Sequence, residues 1–104
     1  MMISERIALL EQFVAEEPTD PFNHYMLALE LLKTDQVKAS EVFDFLMKKF
    51  PAYVPTYYQA AMLKINLSQI HEAVCIIENG IKEAALQKNQ KTVNELRTLL
   101  DECE

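Results

Sequence analysis

Two consecutive stretches decide the reading: PTDPFNHYMLALELLKTDQVKASEVFDFLMKKF, residues 18–50, and PAYVPTYYQAAMLKINLSQIHEAVCIIENGIKEA, residues 51–84. The second is a near-copy of the first. Pro18 recurs as Pro51, His24 as Tyr57, Tyr25 as Tyr58 and Ala28 as Ala61, each pair 33 positions apart. Further on, Ala39 answers to Ala73, Phe43 to Ile77 and Leu46 to Gly80, now at a spacing of 34. The first copy therefore lacks one residue between Leu32 and Ala39, where a turn between two helices tolerates a deletion. A period of this length marks stacked helix pairs, each unable to bury its apolar face alone.

Working outward, the apolar spacing predicts six helices. Residues 4–17 form the first, with Ser4 as the expected cap, Ile3, Ile7, Leu10 and Val14 at helical spacing, and Pro18 as the stop. The second spans residues 21–33, capped by Asp20 with Pro21 in its first turn, where a missing N–H is harmless. Phe22, Tyr25, Met26, Leu27, Ala28, Leu29, Leu31 and Leu32 cover most of its circumference, so it is expected to be enclosed on several sides. The third, residues 36–50, is one-sided, with Ala39, Val42, Phe43, Leu46 and Phe50 on its buried stripe and Pro51 ending it. The fourth, residues 55–67, repeats the second. The fifth, residues 69–88, is expected to be capped by Ser68 and to bury Ile70, Ala73, Val74, Ile77, Ile81 and Ala84. Gly80 lies inside it at a cost of about 1 kcal/mol against alanine, a cost that close approach of a neighbouring backbone or ring would offset. A last helix, residues 91–102, offers Val93, Leu96, Leu99, Leu100 and Cys103.

This alternation of enclosed inner helices and one-sided outer ones resembles the tetratricopeptide repeat, a 34-residue pair of antiparallel helices. The family's pattern falls on His24, Leu27, Ala28, Ala39, Phe43, Leu46 and Pro51 in the first copy, and on Tyr57, Ala60, Ala61, Ala73, Ile77 and Gly80 in the second. The first helix fits as an orphan second helix, with Arg6 at a small-residue site, Leu10 at the aromatic site and Pro18 closing. Leu31 and Lys64 replace the family's usual tyrosine, Asp35 and Ser68 sit at or near its turn glycine, and Ala85 stands where a closing proline belongs. The resemblance implies one all-α domain over residues 1–104, a right-handed solenoid. It comprises an N-terminal helix (4–17), repeat 1 (21–50), repeat 2 (54–84) and a C-terminal capping helix (91–103).

Composition narrows the function. A chain of 104 residues with half of them hydrophobic and a quarter charged is that of a globular domain with its own core. The net charge is −6, and no run of Lys or Arg exceeds Lys48–Lys49, so there is no basic stripe for nucleic acid or an anionic membrane. Cys75 and Cys103 lie 28 residues apart without metal-type spacing and read as reduced thiols of a cytoplasmic protein. Residues 1–10 do not read as a signal peptide, and no segment approaches the roughly 18–20 apolar residues that span a bilayer.

Chemistry-bearing patterns are scarce. His71, Cys75 and Glu78 share one face of the fifth helix but lack further ligands for a closed metal site, and read as a polar edge. There is no phosphate-binding glycine loop and no nucleophile elbow. Glu16 with Glu17 and Asp101 with Glu102 are sequence neighbours, which do not share a helix face. No catalytic residue, cofactor or metal is expected, and an activity centred on Cys75 is the least supported reading.

What the resemblance implies instead is a concave face built from first helices. The positions matching it are Tyr25, Met26, Leu29 and Lys33, then Tyr58, Gln59, Met62, Ile65 and Asn66, with Phe22 beside them and expected to be mostly covered. Aromatic and methionine side chains suit capture of a peptide or helix from another protein. Some family members grip a partner's C-terminal carboxylate through a Lys and Asn clamp. Its places here hold Tyr25, Leu29, Gln59 and Pro55, so that mode is not implied. The expected function is thus a non-enzymatic scaffold for another protein. The alternative is a structural homodimer or larger self-assembly, paired through Val93, Leu96, Leu100 and Cys103.

Overall fold

The computed structural model describes residues 1–104 and consists of six helices without strands. They are α1 (Ile3–Glu16), α2 (Pro21–Leu31), α3 (Gln36–Lys49), α4 (Pro55–Asn66), α5 (Ile70–Leu86) and α6 (Gln90–Glu102). The contacts divide the chain into two compact units, Met1–Phe50 and Pro51–Glu104. The boundary falls where the first copy ends.

In the first unit α2 packs against both α1 and α3. Its buried side is His24, Leu27, Ala28 and Leu31, set against Ala39, Phe43 and Leu46 of α3. The side chains at Ala28 and Ala39 are single methyl groups with no exposure, which lets the two backbones approach closely. The opposite side of α2 is not enclosed: Tyr25, Met26 and Leu29 are half-buried and Phe22 is 53% exposed. The apolar circumference of the helix is therefore wider than its fully buried side. α1 buries no residue completely; Ile7, Leu10 and Val14 are half-buried while Phe13 and Leu9 stay exposed.

In the second unit α5 packs against α4 and α6, and α6 also touches α4. Tyr57, Ala60, Ala61 and Leu63 face Ala73, Ile77, Gly80 and Ala84, with Val93, Leu96 and Leu99 closing the core from α6. Val54, Ala84, Val93 and the half-buried Ile81 form a cluster at one end. Burial of each large side chain of this kind is worth roughly 1.5–3 kcal/mol.

The two copies share a hydrogen bond as well as a pattern. His24 Nε2 donates to the carbonyl of Pro18 at 2.9 Å, and Tyr57 Oη donates to the carbonyl of Pro51 at 2.7 Å. Both span six residues and tie the first turns of α2 and α4 back to the entering chain. An imidazole and a phenol thus do one job, which explains why His24 stands where its repeat has a tyrosine. The His24 ring packs against Phe45 at 4.9 Å and Phe50 at 5.9 Å. Burial and, secondarily, the negative charge of Glu83 push the Tyr57 phenol above its ordinary pKa.

Gly80 meets the expected close neighbour. A Cβ at this position would lie 2.6 Å from Tyr57 Cβ, 2.8 Å from its Cγ and 2.9 Å from Leu96 Cδ1. The glycine is what allows α5 to rest on the root of the Tyr57 side chain.

Several helix ends differ from expectation, α2 for one closing at Leu31 and not at residue 33. Ser4 lies inside α1, whose cap residue Met2 offers no side-chain bond. Ser68 does not cap α5: it adopts φ 61° and closes α4, and Gln69 precedes α5 without a side-chain bond. Ser68 N–H donates to the Ile65 carbonyl and Gln69 N–H to that of Lys64, the paired bonds of a Schellman ending. Lys88 repeats this after α5 at φ 57°, with Lys88 N–H on Ala85 and Asn89 N–H on Ala84. That ending shortens α5 and frees Asn89 to cap α6, its side chain accepting from Thr92 N–H at 3.2 Å. Asp20 caps α2 as expected, accepting from Phe22 N–H, and Asp35 caps α3, accepting from Lys38 N–H. The turn of the first copy has no left-handed residue, so the extra residue of the second copy coincides with the turn that needs one.

Candidate functional site

The nine positions singled out as a partner-binding face lie on α2 and α4 and in the turn after α2. On α4 they share one side. Thr56, Tyr57, Ala60, Ala61 and Leu63 are consumed by the core, whereas Tyr58 and Asn66 are exposed and Gln59, Met62 and Ile65 half-buried. The division follows from helical spacing: positions 58, 62 and 65 recur at four and three residues and point away from α5. Tyr58 exposes 36% of its surface, large for an aromatic side chain next to a core.

In the first unit Tyr25, Met26 and Leu29 are half-buried on α2, and Phe22, expected to be covered, adds its exposed ring to the same side. Phe22 is the second residue of α2, after Pro21, in the first turn of the helix. Lys33 falls past the end of α2 and is not a free cation. Its Nζ lies 3.0 Å from Glu30 Oε1, and Arg6 Nη1 of α1 approaches the same oxygen at 3.8 Å. Glu30 Oε2 is buried without a hydrogen-bond partner, so this pair of cations is what compensates the carboxylate.

The structure adds two residues that the sequence reading left out. Tyr58, Glu95 and Thr98 line an open cleft of about 460 Å³, with α4 on one side and α6 on the other. Glu95 and Thr98 are three apart on α6, so both belong to the helix edge next to its buried stripe. Their signal was present as that spacing, but only the docking of α6 beside α4 gives it meaning. The last helix therefore supplies a wall beside Tyr58 and leaves the tyrosine exposed.

The stripe considered for self-pairing is partly used within the chain. Val93, Leu96 and Leu99 are buried, and Leu100 and Cys103 are half-buried, because α6 spends this face on α5. His71, Cys75 and Glu78 are exposed along α5, and no three metal-type side chains converge. No helix is long and apolar enough to cross a membrane.

No family model and no curated protein matches the chain. Solved structures do. A solution structure of a tetratricopeptide repeat domain protein from Salinibacter ruber is 35% identical, covers 85% of this chain and 90% of its own, and superposes with a TM-score of 0.80. A crystal structure of a tetratricopeptide repeat domain protein from the same organism is 33% identical over 81% of this chain and 96% of its own, with a TM-score of 0.77.

Proposed function

The chain belongs to the tetratricopeptide repeat family, and from that premise we propose that it is a non-enzymatic interaction module that holds a peptide or helix of another protein. The family's helical-repeat fold is in general a protein-interaction scaffold and not a catalytic one. The observation that carries the reading here is the split of α4. One side is committed to the core, and the other keeps Tyr58, Gln59, Met62, Ile65 and Asn66 at the surface beside the cleft shared with α6. The α2 positions Tyr25, Met26, Leu29 and Lys33 form the second candidate contact surface.

Tyrosine and methionine favour this use because one offers a rigid, amphipathic ring and the other adapts to irregular partners. Tyr58 is exposed and Met62 half-buried, both outside the buried set of α4, so their truncation should affect binding more than folding. The test is affinity capture from the native host with the wild-type chain and the Tyr58→Ala/Met62→Ala variant, each checked by circular dichroism. The expected result is an intact helical spectrum and loss of the principal co-purifying protein. An unchanged set of co-purifying proteins with an intact fold refutes the reading.

A further inference from the structure

We infer that the cleft between α4 and α6 receives a lysine or arginine side chain of an otherwise apolar partner segment, held between the Tyr58 ring and the Glu95 carboxylate. The inference rests on the reading of this cleft as a peptide seat and names the chemistry that fits it. Tyr58 and Glu95 face the same space, one presenting an aromatic ring and the other a negative charge. Glu95 takes part in none of the chain's ion pairs, which join Arg6 and Lys33 to Glu30, Lys38 to Glu11 and Lys64 to Glu72. Lys91 lies one turn earlier on α6 and makes no ion pair with it. The third lining residue, Thr98, brings a hydroxyl and no charge, and that hydroxyl already donates to the Asn94 carbonyl at 3.0 Å.

Desolvation decides what the cleft accepts. A partner that covers Tyr58 and Met62 also strips water from Glu95. An apolar or acidic segment would leave that carboxylate buried without a counter-charge, which is unfavourable. A cation removes the penalty and gains the ring face as well, since an ammonium or guanidinium over a tyrosine is attracted by the ring quadrupole. The surrounding charge acts in the same direction, the chain carrying −6 in all. Selectivity here comes as much from rejecting acidic segments as from attracting basic ones.

The test uses displayed random dodecapeptides selected on the immobilised full-length chain. The expected outcome is enrichment of Arg or Lys at one recurrent position among apolar neighbours. Binding of the selected peptides should weaken about threefold to fivefold on Glu95→Gln, as for a partly exposed ion pair, and further on Tyr58→Ala. Raising the salt concentration should weaken wild type more than Glu95→Gln. Peptides that lose affinity on Tyr58→Ala and Met62→Ala but not on Glu95→Gln overturn the cation assignment and leave the cleft in place. Selected peptides indifferent to all three substitutions, or a selection that returns none, overturn the cleft reading together with the assignment.

Discussion

Replacing Gly80 by alanine sets two opposing effects against each other with a sign that the structure decides. In an exposed helix the change stabilises by about 1 kcal/mol, because glycine surrenders more backbone freedom on folding. Here the new methyl group would meet Tyr57 Cβ at 2.6 Å, Tyr57 Cγ at 2.8 Å and Leu96 Cδ1 at 2.9 Å. Only the leucine methyl is the end of a flexible side chain. The two tyrosine atoms are anchored at the α4 backbone, and the ring beyond them is held by its bond to Pro51. Relief therefore requires α4 and α5 to separate, and overpacking of this kind costs about 1–3 kcal/mol. With the contacts this short the upper end applies, and subtracting the helix gain leaves a net loss of about 2 kcal/mol. That corresponds to a fall in melting temperature on the order of 10 °C. Urea titrations followed by far-ultraviolet circular dichroism give the value, with Asn79→Ala as the control. Asn79 is the exposed neighbour in the same helix and reports propensity without contact, so it should gain a few tenths of a kcal/mol. A Gly80→Ala chain as stable as wild type, or more so, refutes the packing argument.

The Thr56 hydroxyl is wholly buried and lacks a partner, so Thr56→Val should raise stability by about 1 kcal/mol in the same titration. Ser68 and Lys88 occupy left-handed backbone at φ 61° and 57°, where a Cβ costs about 1–2 kcal/mol; Ser68→Gly and Lys88→Gly should each stabilise by about 1 kcal/mol, and additively, as thermal melts will show. Tyr57 titrates above its ordinary value when folded, first through burial and then through Glu83. Its contribution is therefore complete below pH about 10 and is lost as the pH climbs from there through the folded value, because the unfolded chain sheds the proton first. Urea midpoints measured from pH 8 to 11 should fall less steeply for Tyr57→Phe than for wild type, although the variant starts lower at pH 8 for want of the bond to Pro51.

The fold was legible because its determinants are local and doubled. Proline before a helix, aspartate at its cap and alanine at the crossing each act over a few residues, and the second copy repeats most of them. The substitution of Tyr57 for His24 shows how far that goes: two residue types with different chemistry reach the same carbonyl because the spacing to the proline is the same. Gly80 was legible for a related reason, since an unfavourable residue inside a helix implies a close neighbour. The helix ends were misread where a serine has two possible uses. Ser68 can cap the helix that follows or accept left-handed backbone after the one that precedes. Only the bonds from Ser68 and Gln69 to Ile65 and Lys64 decide between them.

The candidate site was less legible, and the reason lies in what a helix pattern records. Apolar spacing tells how much of a helix is suited to burial, not how much is buried. Phe22 and Leu27 contribute alike to the apolar circumference of α2, yet one is 53% exposed and the other belongs to the core. The difference is made by which sides of α2 its neighbours α1 and α3 occupy. α6 presents the opposite case. Its stripe of Val93, Leu96, Leu100 and Cys103 looked wholly available to another chain in sequence, yet the docking of α6 leaves Val93 and Leu96 buried within the fold. The same docking turns the polar edge of α6, in sequence merely Glu95 and Thr98 three residues apart, into the wall opposite Tyr58. A surface available to a partner is what remains of an apolar helix after the chain's own helices have taken their share. On α4 that remainder is the face bearing Tyr58 and Met62, and this is why truncating those two side chains should disturb recognition while leaving the core packing of Tyr57, Ala61 and Leu63 intact.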